Sequence, residues 1–79
     1  MRILYVYEGP RNAAREAEVL RTLNDRFGGV SQTDSHSGEE GLTTVTLEAE
    51  EQRSLAIVEH LREQSDVLDA VQGSFGENA

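Results

Sequence analysis

Cysteine is absent from this chain of 79 residues, as are lysine and tryptophan, and proline and methionine occur once each. Without cysteine, neither a disulfide framework nor a cysteine zinc site can add stability. A domain this small buries only about 60–65% of its unfolded surface. With a hydrophobic fraction of 37%, it has enough apolar side chains for one sheet face covered by two helices, and dimerisation is the expected source of further burial. Long apolar runs are also missing. The longest, Ile3 to Tyr7, is too short to span a bilayer, and no small-residue cleavage site follows it. The expectation is a cytoplasmic protein, whole or excised from something larger, with no direct membrane contact.

Positive charge is scarce. Fifteen acidic residues face seven basic ones, every one of them arginine, for a net charge of −8. Such a surface repels phosphate backbones and anionic lipid, and no basic patch offsets it, so a nucleic-acid partner is not expected. Acid-rich, lysine-free composition fits a GC-rich genome or a salt-rich, halophile-type cytoplasm in which self-repulsion is screened.

What is present is a rhythm. Arg2-Ile-Leu-Tyr-Val-Tyr-Glu8 and Leu42-Thr-Thr-Val-Thr-Leu-Glu48 alternate in the manner of strands, and each is followed by a helix-period segment. The first strand covers residues 2–8 and stops at Gly9-Pro10. The spacing of Ala13, Ala17, Leu20, Leu23 and Phe27 predicts a helix over 11–27, ended by Gly28-Gly29. A polar second strand over 30–35 suits a sheet edge, and the loop 36–41 joins it to the third strand as a hairpin. A second helix over 50–64 carries Leu55, Ile57, Val58 and Leu61, a fourth strand covers 68–75, and 76–79 is a frayed tail. Two strand–helix–strand halves make one α+β domain over 1–79. It is a ferredoxin-like βαββαβ sandwich, with a four-stranded antiparallel sheet in order 4-1-3-2 and both helices on one face.

Strand parity sorts the side chains. Val45 and Leu47 belong under the helices, and Thr44 and Thr46 on the opposite, open face. In the first strand both parities are apolar, Leu4 and Val6 against Ile3, Tyr5 and Tyr7. An open face carrying Tyr5, Tyr7, Thr44 and Thr46 is the expected interaction surface, because exposed aromatics on an uncovered sheet usually meet a partner. The other placement turns both tyrosines inward.

Leu4-Tyr-Val-Tyr-Glu-Gly9 is similar to the first RNA-contacting signature of RNA-recognition-motif domains. The third strand, Glu40-Gly-Leu-Thr-Thr-Val-Thr-Leu47, lacks the basic residue and the stacking aromatics that the second signature requires. A second resemblance covers nearly the whole chain as pattern. Strand, turn, long helix, Gly28-Gly29, polar strand, Thr-Val-Thr-Leu strand, helix and the closing Ser65-Asp-Val-Leu-Asp-Ala-Val71 resemble ACT-like regulatory domains and the C-terminal cytoplasmic domain of MgtC-type membrane proteins. The resemblance implies a small ligand, an amino acid or a metal ion, at the turn between the first strand and helix, across a dimer seam. Here that turn is Tyr7-Glu-Gly-Pro-Arg-Asn12, with Gly9, Arg11 and Asn12 as the candidate ligand residues.

Physically, the same turn offers a close backbone approach at Gly9, a bidentate cation at Arg11 and a polar side chain at Asn12, beside the N–H groups that open a helix. The simpler use of these residues is helix capping, with Glu16 favourable near the helix N-terminus. No catalytic constellation stands out. Asp34, Ser35 and His36 are contiguous, and extended residues point alternately apart rather than converging as a triad. His60 with Glu63 makes too small a set for a metal, the acidic run 48–51 has no calcium-loop spacing, and there is no phosphate-binding glycine motif. No enzyme activity and no cofactor are expected. Two functions remain: a regulatory or protein-interaction domain that self-associates or binds a protein partner through its sheet face or edge strand, and an ACT-like small-ligand sensor.

Overall fold

Alternation sets the two central strands where the sequence puts them. In the computed structural model, which describes residues 1–38 and 40–73, β1 is Arg2–Glu8 and β3 is Leu42–Glu48, paired antiparallel from Arg2 opposite Glu48 to Glu8 opposite Leu42. The remaining elements are α1 (Ala13–Arg26), β2 (Ser31–Ser37), α2 (Glu51–Arg62) and β4 (Asp69–Gln72). The sheet order is β2-β3-β1-β4, every neighbour antiparallel. This is the ferredoxin-like βαββαβ sandwich. The expected end of the fourth strand at 74–75, the tail 76–79 and Glu39 of the hairpin loop lie outside the described residues.

Local chemistry explains the helix ends. Asn12 has an extended backbone and its side chain accepts from the Arg15 N–H at 3.0 Å, so α1 begins two residues later than its apolar spacing implies. At the far end Gly28 and Gly29 both take positive φ, +80° and +69°, which only glycine adopts without cost. Asn24 fixes this reversal by donating to the Val30 carbonyl and accepting from its N–H. Arg53 of α2 donates to the carbonyls of Phe27 and Gly28, covering the C-terminal end of α1 with a cation.

Both helices share one core with one sheet face, in which Leu23 of α1 and Ile57, Val58 and Leu61 of α2 meet Val45 and Leu47. Three expected stripe positions differ. Ala13 and Ala17 are exposed, and Glu16 is buried on that side of α1 instead. Leu55 is 60% exposed, its place on α2 taken by Ser54, whose hydroxyl accepts from Gln72 of β4.

The parity of β1 resolves inward. Ile3, Tyr5 and Tyr7 belong to the same core as Val45 and Leu47, and the tyrosines are 1% exposed. Tyr5 and Tyr7 are therefore not on the open face. The helices present few large side chains to the sheet, so the two rings fill that layer, and Tyr7 finds a buried polar partner for its hydroxyl. The open face carries Leu4 and Val6 beside Thr46 and Thr44, as register requires. Strand β2 forms one edge, with a register irregularity between Gln32 and Asp34 that leaves Thr33 as the extra residue.

Candidate functional site

The first turn of α1, the β1–α1 turn and the inner face of β2 converge on one carboxylate. Glu16, 2% exposed, accepts from the Tyr7 hydroxyl at 2.5 Å, from Ser35 Oγ at 2.8 Å and from Gln32 Nε2 at 3.0 Å. Tyr7 in turn accepts from the Asn12 N–H at 2.7 Å, and Ser35 accepts from Arg11 Nε at 3.1 Å. Burial by itself would raise the Glu16 carboxyl. Bonds from Tyr7, Ser35 and Gln32, together with the Arg11 guanidinium, outweigh it and leave the group below its ordinary value. Burial, then the bond to Glu16, pushes the Tyr7 hydroxyl up. A carboxylate so surrounded by donors is held ionised and fixes the entry angle of α1 against β2.

Each candidate ligand residue of the turn is engaged inside the chain. Gly9, at φ +104°, donates its N–H to the Gly41 carbonyl at 2.6 Å and accepts from Thr43 Oγ1 at 2.8 Å. Arg11 donates its backbone N–H to Ser37 Oγ at 3.0 Å as well as its guanidinium to Ser35, and Asn12 caps α1. A recess of about 360 Å³ nevertheless opens over the turn, with Glu8, Gly9, Arg11, Asn12 and Arg15 on its walls. Arg15 lies over the Tyr7 ring, 5.1 Å from its centroid, and pairs loosely with Asp66 at 3.7 Å.

The candidate interaction residues divide. Thr44 and Thr46 stand half-buried on the open face, and Tyr5 and Tyr7 are inside. With the threonines stand Leu4, Val6 and Val71, joined through the β1–β3 and β1–β4 registers. A shallow recess of about 410 Å³ lies at the Arg2 end of this face, between Leu4, Thr46, Asp34 and Glu48.

Strand alternation separates Asp34, Ser35 and His36. Ser35 points in to Glu16, and its neighbours pair with Thr46 and Thr44 on the open face. The His60 and Phe27 rings meet in a T-shaped arrangement, centroids 5.9 Å apart, and His60 lines a groove of about 300 Å³ between the helices. Beneath the helices the Tyr5 hydroxyl has no hydrogen-bond partner among the described residues. No group of three or more His, Cys, Asp or Glu among the described residues is placed to hold a metal ion, and no described helix is long and apolar enough to cross a membrane. Glu16 escaped sequence reasoning because an acidic residue in a first helical turn reads as a solvated partner of the helix dipole. Its spacing of four and seven residues before Leu20 and Leu23 was the available signal.

No known family model and no curated protein matches this sequence.

Proposed function

We propose that this chain is a non-catalytic, cytoplasmic protein-interaction domain that self-associates through the open face of its sheet. One observation carries the reading: β1 and β4 leave Leu4, Val6 and Val71 on a face that neither helix covers, Val6 and Val71 half-buried and Leu4 9% exposed between them. Antiparallel sheets can leave one face to water, and then that face is usually polar. An apolar centre there is what a partner surface needs. The polar machinery at the other end of β1 is consumed in holding α1, which leaves the open face as the surface with no internal task.

The test is sedimentation equilibrium across a wide concentration range, paired with amide NMR shifts on dilution. Association is expected, with shifts centred on Val6, Thr44, Thr46 and Val71, and Val6→Lys should abolish it without loss of fold. Concentration-independent monomers, or shifts confined to the helices, would sink the proposal.

A second reading is the ACT-like sensor, which the resemblance in element order suggests. The recess bounded by Arg11 and Arg15 at the opening of α1 supports it, as two guanidinium groups beside helix N–H groups favour a carboxylate. Titration with a panel of amino acids should then move Gly9 to Asn12, and Arg11→Ala should remove the response.

A further inference from the structure

The open face is laid out in four rows across the sheet. Arg2 stands beside Glu48; Leu4 beside Thr46 and Asp34; Val6 beside Thr44 and His36; and Glu8 beside Leu42. On the β4 side, Val71 continues the Leu4 row and Asp69 the Val6 row. Along β1 the face therefore reads cation, apolar, apolar, anion. The order is asymmetric from end to end, and that asymmetry determines how such a surface meets a copy of itself.

Resting on the proposal that the open face self-associates, we infer that it pairs with a second copy about a two-fold axis running across the strands at the level of Tyr5, β1 antiparallel over β1. Such an interface is isologous: if one residue meets another, the reciprocal contact follows. The first row then faces the fourth and the second faces the third. Arg2 meets Glu8 of the second copy, Leu4 meets Val6, Thr46 meets Thr44, and Asp34 meets His36. Glu48 falls on Leu42, and the Asp69 carboxylate stays with Arg62 and the Ala70 N–H of its own copy. No carboxylate of one copy faces a carboxylate of the other, although the face carries Glu8, Asp34 and Glu48 and the chain carries a net charge of −8.

The other two-fold, with its axis along the strands, fits less well. Run along β1, it joins Leu4 to Leu4 and Val6 to Val6 but sets Arg2 on Arg2 and Glu8 on Glu8. Run between β1 and β3, it lays β1 over β3, so Leu4 and Val6 land on Thr46 and Thr44 and Glu8 meets Leu42. Apolar side chains then bury hydroxyls, and the cation of Arg2 falls to Glu48. Only the axis across the strands joins apolar to apolar and Arg2 to Glu8. Face-to-face sheets pack with strands within about 30° of alignment, so opposed rows near the axis stay opposed.

The experiment is a charge swap read by sedimentation equilibrium at physiological ionic strength. Arg2 and Glu8 are exposed strand-end residues, so exchanging their charges leaves the core intact, and a circular dichroism melt checks that. Arg2→Glu and Glu8→Arg should each weaken the dimer about tenfold, since each change places two like-charge contacts in the symmetric interface. The double variant R2E/E8R should return to within about threefold of the unmodified chain, because the two effects couple. Arg2 and Glu48 are register neighbours within one copy, so rescue by R2E/E48R assigns the other axis, and overturns this inference, when the melt of Arg2→Glu shows the fold itself unchanged. A dimer through the open face that neither double variant rescues would also overturn it while leaving the interaction domain standing. A chain that stays monomeric at every concentration would overturn both.

Discussion

The Tyr7 hydroxyl and the Glu16 carboxylate, 2.5 Å apart and both buried, tie the end of β1 to the first turn of α1. Tyr7 gives one hydrogen bond to the acid and takes another from the Asn12 N–H, so its oxygen serves strand, cap and helix together. The neighbouring Tyr5 has an equally buried hydroxyl and no partner among the described residues.

That contrast makes opposite predictions for one chemical change. Tyr7→Phe strips a donor from Glu16 and an acceptor from Asn12, and should cost about 1–3 kcal/mol. Tyr5→Phe removes a desolvated group that gains nothing from the protein, and should be neutral or stabilising by about 1 kcal/mol. Urea titrations of the two variants check this directly, and equal losses would refute it.

Acid should act through Glu16. Its carboxyl lies below the ordinary value in the folded chain, so the folded state binds a proton less readily than the unfolded one. The resulting stability is complete above the unfolded-state value and drains away as pH falls through the folded-state value. Glu16→Gln should therefore be less stable than the unmodified chain by about 1–3 kcal/mol at neutral pH. The gap should narrow on acidification. Unfolding curves collected down the acid limb would show it, and a constant gap would exclude the mechanism.

At Gly9, backbone geometry alone is at stake. A methyl group there would meet nothing within 4 Å, yet φ is +104°. Gly9→Ala should cost about 1–2 kcal/mol from backbone strain with the core unchanged. Thermal melting gives the loss, and undisturbed NMR shifts for Leu23, Val45 and Leu61 would confirm that packing is intact.

Arg53 should matter although its guanidinium bonds are exposed. It donates to two carbonyls at the end of α1, so Arg53→Ala should lower stability by about 1 kcal/mol, and Arg53→Lys should recover only part of it. Hydrogen exchange at the last turn of α1 would localise the effect.

Salt should favour association. In the proposed dimer a charge of −8 on each copy opposes approach over the whole surface, and the Arg2–Glu8 contacts at the strand ends offset only part of that repulsion. Sedimentation at rising sodium chloride should show a tighter dimer, and a weaker one would mean that the local pairs dominate.

The sequence made β1 and β3 legible because their alternation is regular, and the order of elements then left few topologies. Parity in β1 was not legible. Leu4 and Val6 are as apolar as Ile3 and Tyr5, so local pattern could not say which set lay under the helices. The decision rests on partners distant in sequence: Ile3 and Tyr5 stand opposite Leu47 and Val45, and Tyr7 bonds Glu16. The helix stripes show the same dependence. Leu55 is more apolar than Ser54, yet Ser54 lies inward, since the stripe of Ile57, Val58 and Leu61 sets the phase of the helix, and Gln72 of β4 satisfies its hydroxyl. The turn at Gly9, Arg11 and Asn12 was legible as a helix entry, and Asn12 does cap α1, but its bonds to Ser35, Ser37 and Thr43 come from strands distant in sequence.

The irregularity at Thr33 bears on what this protein avoids. An edge strand with a regular outer row of N–H and C=O groups is a seed on which further chains can stack without limit. One extra residue in β2 breaks the repeat, twists the border and denies a fibril its first rung on that side.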